Sequence, residues 1–123
     1  MSKIDDVIKE RNLKPKEKIK YKEIIRKDER GNIIQRRYPT GSEWLSDYDS
    51  NNNLIYFRDI EGNKSWFEYD KNNNLIHYLS SSGYEYWVEY DENGVETRRL
   101  KYVNGDYYLN SKYLARGVKL WKE

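Results

Sequence analysis

A unit of about 21 residues repeats through the middle of this chain and limits what the chain can fold into. Its repeated positions are glycines, Tyr-Asp pairs and tryptophans. They are Gly41, Gly62 and Gly83, the pairs at 48–49, 69–70 and 90–91, and Trp66 and Trp87. A degenerate earlier copy aligns Asp28 with Asp49. A fixed period of this length is typical of a stacked or meandering architecture built from one supersecondary unit.

Each unit has the pattern of two β-strands joined by a tight turn. The segments SWFEYD at 65–70 and YWVEYD at 86–91 alternate and are rich in aromatic residues, which favours strands. The connecting segments are dominated by Asp, Asn and Gly, and DENG at 91–94 and VNGD at 103–106 are the clearest hairpin signals. The sequence therefore predicts a mainly β fold, an antiparallel β-meander of roughly seven to nine strands built from two-strand repeats.

The first 19 residues differ from the repeat and predict a short N-terminal helix. Ser2 and Asp5 have the spacing of a capping box, and Ile4 and Ile8 lie on one helical stripe. We expect Pro15 to end this helix. Two roles fit the helix: it could close one end of the sheet, or it could be an arm that binds a partner.

We predict that residues 1–123 form a single domain with a modest core. Its parts are the helix or arm at 1–19, a degenerate repeat at 20–40, the repeat sheet at 41–103, and a C-terminal hairpin or tail at 104–123. The final segment, SKYLARGVKLWKE, fits either a last strand or a short helix.

The repeat resembles a known class of short β-repeat. Over 41–95, Tyr-Asp is followed by Asn or Gly, then by Leu or Ile, and then by Gly. This phrase is similar to the YD repeats of Rhs-type proteins and to the short repeats of MORN-like bacterial proteins. The resemblance implies a twisted β-meander. It does not imply the large toxin-enclosing shell of the Rhs family, because this chain has too few repeats, and it indicates architecture rather than function.

Alternation along the first strand of each unit separates two faces. One face, which we expect to form the core, holds Phe67, Tyr69, Val88 and Tyr90. The opposite face pairs a tryptophan with an acid in each copy, and it holds Trp66, Glu68, Trp87 and Glu89. Carrying the period back adds Leu45 and Asp47 to that second face. Packing does not require acids at three equivalent positions, where like charges would repel, and this row therefore points to function.

Charge is distributed unevenly, although the net charge is only +2. Residues 1–40 carry 13 basic and 7 acidic residues, a net charge of +6. Residues 41–97 carry 3 basic and 12 acidic residues, a net charge of −9, and residues 98–123 carry 7 basic and 2 acidic residues, a net charge of +5. An acidic centre between basic flanks creates a surface field that a charged partner can read. In the alternative interpretation, the flanks neutralise the centre across the sheet.

Several kinds of chemistry lack their usual residues. The chain has no cysteine for a disulfide or a thiolate metal site, and no apolar run of membrane-spanning length. His77 is the one histidine, and we expect it to have a surface or packing role. The segments at 49–53 and 70–74 resemble the start of a calcium loop, but Ile60 and Ser81 stand where a bidentate Glu is needed. We predict a cytoplasmic protein of a bacterial host cell that is not an enzyme and binds no cofactor, metal or membrane.

We therefore predict a non-enzymatic inhibitor whose protein partner is a nucleic-acid-handling enzyme or complex, such as a nuclease or an RNA-guided defence complex. Acids repeated along a rigid sheet could replace phosphates against the Lys and Arg residues that contact nucleic acid. In size, compartment and composition the chain resembles phage anti-CRISPR proteins and toxin-immunity proteins. The expected partner-binding residues are acids and aromatic rings: Asp47, Glu68, Glu89, Glu43, Glu85, Trp66, Trp87, Tyr56 and Tyr78.

Two other functions stay open. The aromatic repeat and the segment NGDYYLNSKY at 104–113 resemble choline- and glucan-binding cell-wall modules, which bind carbohydrate. The basic ends, with lysines at every second position from 14 to 22, could bind nucleic acid from one face of a strand. An open meander also has unpaired edges, through which the chain could form a homodimer.

Overall fold

The chain forms a single-layer antiparallel sheet preceded by a short helix. The computed structural model describes residues 2–14 and 19–117. Helix α1 spans Lys3–Glu10, and ten strands follow in one sheet whose spatial order is the chain order. The strands are β1 (Ile24–Lys27), β2 (Ile33–Arg37), β3 (Glu43–Tyr48), β4 (Leu54–Arg58), β5 (Lys64–Tyr69), β6 (Leu75–Ser80), β7 (Glu85–Tyr90), β8 (Glu96–Val103), β9 (Asp106–Leu109) and β10 (Lys112–Arg116). The predicted antiparallel meander with a short N-terminal helix is confirmed. The sheet has ten strands rather than the expected seven to nine, because the degenerate copy supplies β1 and β2 and the C-terminal segment supplies β10.

A capped turn explains why aspartate recurs with the repeat. Oδ1 of Asp49 accepts the backbone N–H groups of Asn51 and Asn53, both at 2.9 Å. Four further aspartates accept from the residues two and four positions on: Asp28, Asp59, Asp70 and Asp91. The residue three positions on has a positive φ and is always Gly or Asn: Gly31, Asn52, Gly62, Asn73 and Gly94. Each loop is therefore a type I turn followed by a left-handed residue, a common hairpin connection.

Acid is expected to weaken the fold through these turns. Hydrogen bonds from the asparagine four residues on lower the pKa of four turn aspartates, against a smaller opposing effect of desolvation: Asp28, Asp49, Asp59 and Asp70. Because their folded-state pKa is depressed, their contribution to stability is present above their ordinary pKa of 3.8 and is lost as the pH falls through the folded-state values. The urea concentration that unfolds half of the protein should therefore fall as the pH is lowered from about 5 to about 2.

A paired set of variants tests this acid dependence. Asp49→Asn with Asp70→Asn keeps an oxygen acceptor in both turns but removes the titrating charge, so its urea midpoint should fall less over the same range. Glu61→Gln with Glu92→Gln changes two exposed turn carboxylates, and its urea midpoint should depend on pH with the same slope as that of the wild type. If the aspartate variant also keeps the wild-type slope, the turn aspartates are not the source of the acid sensitivity.

The tyrosine of the Tyr-Asp pair lies at a β-bulge, and in two copies its hydroxyl bonds the strand that precedes it. The strand register shifts just before Tyr69, and the Tyr69 hydroxyl donates to the carbonyl of Leu54 at 2.8 Å. In the next copy the register shifts before Tyr90, which donates to the carbonyl of Leu75 at 2.7 Å. In the first copy the hydroxyl of Ser46 donates to the equivalent carbonyl at 2.6 Å. The Tyr-Asp phrase is therefore a structural device that fixes the bulge and the turn after it.

Alternation gives the sheet two unequal faces. Among the described residues each strand contacts only its neighbours in the chain, so no second layer covers the sheet there. The buried residues of the described chain, Val88 at 3% exposed and Ser46 at 6%, lie on the same face. We call this the tyrosine face, and its central rings include Phe67, Tyr78 and Tyr86. The opposite face carries Trp66 and Trp87, and we call it the tryptophan face.

The tyrosine face is the core side of this thin sheet. Along β5, Ser65, Phe67 and Tyr69 are half-buried, whereas the alternate residues on the tryptophan face are exposed. The rings of Phe67 and Tyr78 lie 5.1 Å apart, and Tyr78 stacks on Tyr86 at the same distance. Such cross-strand aromatic pairs stabilise a sheet that has no second layer. The predicted core positions on β5 and β7 are confirmed.

Helix α1 begins as predicted but ends earlier. The Oγ atom of Ser2 accepts the backbone N–H of Asp5 at 3.2 Å, as an N-cap should. The helix ends at Glu10, and Asn12 has a positive φ of 51°. The chain has therefore left the helix before Pro15, which lies outside the described residues. The prediction that Pro15 ends the helix is wrong, because the chain turns earlier.

The apolar stripe of α1 stays uncovered within the described residues. The helix contacts no strand there, and Ile4 and Ile8 are 72% and 43% exposed. The expectation that α1 closes one end of the sheet is therefore not met in this part of the chain. No helix in residues 2–14 and 19–117 is long and apolar enough to cross a membrane.

The C-terminal segment forms a strand as far as it is described. Asn110 and Ser111 connect β9 to β10 with positive φ values of 50° and 70°, the geometry of a tight hairpin turn. The predicted turn at 103–106 has Asn104 and Gly105 at positive φ as well. Residues 118–123, the rest of the ambiguous tail, lie outside the described chain.

The two edge strands carry features that oppose pairing with another chain. The register of β1 against β2 shifts between Arg26 and Lys27, and that of β10 against β9 shifts between Tyr113 and Ala115. Bulges and cationic side chains on an edge both hinder strand addition. A homodimer through a sheet edge stays a prediction that these features disfavour.

Within the described residues, the lysine run does not form the expected strand. Lys20 and Lys22 lie in irregular chain ahead of β1, and Lys14 follows α1 outside any regular element. The other two lysines of the run lie outside the described residues. Alternate lysines therefore do not line one face of a strand at 19–23.

Candidate binding surface on the tryptophan face

Strand register brings the predicted acids and rings onto one face. Asp47 on β3 lies opposite Tyr56 on β4, which lies opposite Trp66 on β5. Two residues further along β5, Glu68 lies opposite His77 on β6, and His77 lies opposite Trp87 on β7. Eight of the nine predicted binding residues share this face: Asp47, Glu68, Glu89, Glu43, Glu85, Trp66, Trp87 and Tyr56.

Tyr78 is the exception, because it lies on the tyrosine face. It stands opposite Phe67 and Tyr86 in the sheet, and its hydroxyl is 3.1 Å from the hydroxyl of Ser65. Alternation along β6 places its neighbour His77 on the tryptophan face instead. The assignment of Tyr78 to the binding surface is corrected accordingly: this ring belongs to the aromatic cluster of the core side.

The acid row is less crowded than the sequence suggests. Asp47, Glu68 and Glu89 lie on β3, β5 and β7, so successive acids are separated by an intervening strand, about 9.5 Å across the sheet. The intervening strands place His77 opposite Glu68 and Arg98 opposite Glu89. Like charges therefore do not meet directly, and two of the three acids have a hydrogen-bonding neighbour across the strand pair.

Ion pairs on the tryptophan face neutralise part of its charge. Arg98 bonds Glu89 at 2.6 Å, with both side chains 59% exposed, and this contact holds the pKa of Glu89 below its ordinary value. Glu43 accepts from Gln35 and, at 2.8 Å, from Arg58. Half of the 12 acids of residues 41–97 lie in the turns between strands rather than on this face. The −9 charge of that segment therefore overstates the acidity of the face.

The least neutralised acid is Asp47. Its side chain is exposed, and Oδ1 accepts the backbone N–H of Tyr48 at 2.9 Å. No cation pairs with it among the described residues. Glu68 contacts His77 but is still 68% exposed at its side chain. These carboxylates have oxygen atoms open to water and to a partner.

His77 occupies the centre of the face. Nδ1 lies 2.9 Å from Oε1 of Glu68 and Nε2 lies 2.6 Å from Oε2 of Glu85. The imidazole ring stacks on the Trp87 indole with ring centroids 5.4 Å apart and planes inclined by 20°. The pattern of residues predicts only a surface or packing role for His77. A β-bulge before Tyr69 shifts the register of β6 by one residue and brings His77 opposite Glu68, so the spacing of the turn alone does not reveal the contact.

Aromatic and aliphatic side chains supply apolar area on the same face. Trp66 is 40% exposed, and its ring lies 5.8 Å from that of Tyr56. Toward the C-terminal strands, a hollow of about 250 Å³ opens beside the Glu89–Arg98 pair. Its apolar lining is Trp87, Leu100, Leu109 and Leu114. Sequence reasoning missed this hollow, because it depends on the pairing of β8, β9 and β10.

The central imidazole of this face is fully occupied by its neighbours. Both nitrogens of His77 are engaged by carboxylates, so neither is open to accept a proton from a substrate. In the described parts of the chain, no three His, Asp or Glu side chains are placed to hold a metal ion. What the face presents is exposed aromatic surface flanked by partly neutralised carboxylates.

No protein-family model matches this chain, and a search of curated proteins finds no similar sequence. The geometry and charge of the tryptophan face are therefore what indicate a function.

Proposed function

We propose that this protein is a non-enzymatic inhibitor that binds a protein partner through its tryptophan face, and that the partner is a nucleic-acid-handling enzyme or complex. One observation carries the proposal. A face of a single-layer sheet presents Trp66, 40% exposed, beside a row of exposed acids at Asp47, Glu68 and Glu89, and no element of the described chain covers it.

The apolar part of this face supports a protein partner. Interfaces concentrate their binding energy in a few aromatic anchors surrounded by polar groups that exclude water. Trp66 with Tyr56 forms one such anchor, and the hollow beside Trp87 offers a pocket for a side chain of the partner. Both lie on a rigid set of paired strands, so little order has to be gained on binding.

The charged part supports a partner with a basic surface. Three acids about 12 Å apart, since each is two strands across and two residues along from the last, could each meet a Lys or Arg that otherwise contacts phosphate. Asp47 carries no ion pair among the described side chains, and Glu68 and Glu89 keep 68% and 59% of their side-chain surface exposed. Competition for the same cations would give inhibition of the kind made by phage inhibitors or toxin-immunity proteins.

Charge reversal at the three acids tests the proposal. We expect Asp47→Lys, Glu68→Lys, Glu89→Lys to abolish capture of the partner, because each substitution places a cation against a basic surface. The measurement is affinity capture, at low and moderate salt, from bacterial cells that carry nucleic-acid-targeting defence systems. The captured protein is then assayed for nucleic-acid binding with and without this chain.

The matched control changes charge equally but leaves the face intact. Glu29→Lys, Glu61→Lys, Glu92→Lys reverses three exposed acids in hairpin turns, so total charge alone cannot explain a difference between the two triple variants. This control should capture the partner as the wild type does. The proposal is contradicted if the variant reversed at Asp47, Glu68 and Glu89 still captures the partner, or if the turn variant also fails to capture it.

Carbohydrate binding is the second candidate, and the pair of Trp66 with Tyr56 favours it. Aromatic rings on an open face can stack on sugar rings, and exposed carboxylates accept hydrogen bonds from hydroxyl groups. Under this alternative, loss of Trp66 should abolish retention on an insoluble polysaccharide, and reversal of the acids should matter far less.

A further inference from the structure

The two contacts of His77 require a particular protonation state. A neutral imidazole has one N–H donor and one acceptor nitrogen, whereas an imidazolium has two donors. Both nitrogens face a carboxylate oxygen, at 2.9 Å on the Glu68 side and 2.6 Å on the Glu85 side. Carboxylate oxygens are hydrogen-bond acceptors, so each contact is made best when the facing ring nitrogen carries a proton. The geometry is satisfied when His77 carries both protons.

We propose that protonated His77 bridges Glu68 on β5 and Glu85 on β7 across β6 through two hydrogen bonds, and thereby sets the order and the charge of the tryptophan face. We call this bridge the clasp. The inference rests on the proposed function of that face and names its regulation by pH. The clasp also stacks on Trp87, so the same group positions two acids and one aromatic ring of the surface.

The surroundings of His77 favour its cationic form. On this face of the two flanking strands the charged groups are Glu68 and, four residues away along the strand, Lys64 on β5, and Glu85 and Glu89 on β7. Its own strand adds only the apolar Leu79 at the next position on this face. Burial acts to lower the pKa of His77, but hydrogen bonds and charge from Glu85 and Glu68 outweigh it and raise that pKa above its ordinary value of 6.5.

The raised pKa of His77 determines how the stability of the clasp changes with pH. A raised folded-state pKa means that the contribution of the clasp to stability is fully present below about pH 6.5 and is lost as the pH rises through the folded-state pKa. Above that pKa one carboxylate faces a lone pair, and the cluster carries two net negative charges instead of one. The face is therefore ordered when His77 is protonated and loosened when it is not.

The single histidine makes the test direct. The ring proton and nitrogen signals of His77 are followed by NMR as the pH is raised, in the wild type and in Glu68→Gln with Glu85→Gln. The wild type should titrate with a midpoint above 6.5, with both ring nitrogens protonated below it. The double variant keeps oxygen acceptors but loses both charges, so its midpoint should fall to 6.5 or below.

Two further samples keep the result interpretable. Glu61→Gln with Glu92→Gln, in turns away from the clasp, should keep the wild-type midpoint, and Glu68→Gln alone should lower it by less than the double change. Backbone amide spectra check that each variant is folded. A wild-type midpoint at or below 6.5, or one that the double variant leaves unchanged, would overturn the clasp. The titration needs no partner, so its failure is separate from failure of the capture experiment.

Discussion

Val88→Ala is expected to lower the free energy of unfolding by about 2–3 kcal/mol, the transfer cost of the lost methyl groups plus a cavity. Val88 is 3% exposed and is the one buried hydrophobic residue in the described chain. It lies between Tyr86 and Tyr90 on the tyrosine face, opposite Arg99 on β8. A single-layer sheet has few such positions, so a domain of this size should lose roughly 10 °C in Tm.

The chain supplies a control of the same residue type. Val95 is 59% exposed in the turn just before β8, and Val95→Ala should change the free energy of unfolding by no more than about 0.5 kcal/mol. Urea denaturation of the two variants and the wild type measures both effects. Equal losses at the two positions would mean that the tyrosine face is not the core side of the sheet.

Trp66→Ala is expected to weaken partner binding by at least about 30-fold, the loss of one central aromatic anchor of about 2 kcal/mol or more. The side chain stands at the middle of the tryptophan face, is 40% exposed, and packs against Tyr56 alone among aromatic rings. Truncation removes apolar contact area that a partner would cover. Affinity of the purified partner, measured by calorimetry, reports the change.

Tyr113→Ala is the matched aromatic truncation. Tyr113 is 61% exposed on β10 and faces the other way, opposite Tyr108 on β9. Its loss should leave affinity within about twofold of the wild type, as expected of a residue outside the interface. If both variants lose affinity for the partner equally, binding lies elsewhere. If Trp66→Ala loses only its retention on polysaccharide, the carbohydrate alternative is favoured.

Much of the fold follows from the repeat, because its elements are local. A strand of alternating aromatic residues and a turn of Asp, Asn and Gly need no distant contact to be recognised. Turn chemistry also explains why Asp49 and Asp70 recur, and the alternation correctly separates Phe67 from Trp66. Even the degenerate copy around Asp28 folds as a hairpin with the same capped turn.

What depends on neighbouring strands could not be inferred from spacing alone. Tyr78 and His77 exchange faces when the register of β6 is misjudged by one residue, and only pairing with β5 and β7 fixes it. The neutralising partner of Glu89 comes from Arg98 in the basic flank, through pairing of β7 with β8. Helix α1 ends at Glu10, and the positive φ of Asn12 turns the chain in a way that a search for proline overlooks.

The most direct test of the account is site-specific photo-crosslinking in bacterial cells. A photoreactive side chain is placed at Lys64, exposed on the tryptophan face, and separately at Tyr113, exposed on the tyrosine face. We expect one discrete crosslinked protein from position 64 only, absent when Asp47, Glu68 and Glu89 are reversed to lysine. Crosslinking from position 113 instead, or equally from both, would contradict the claim that the tryptophan face is the binding surface.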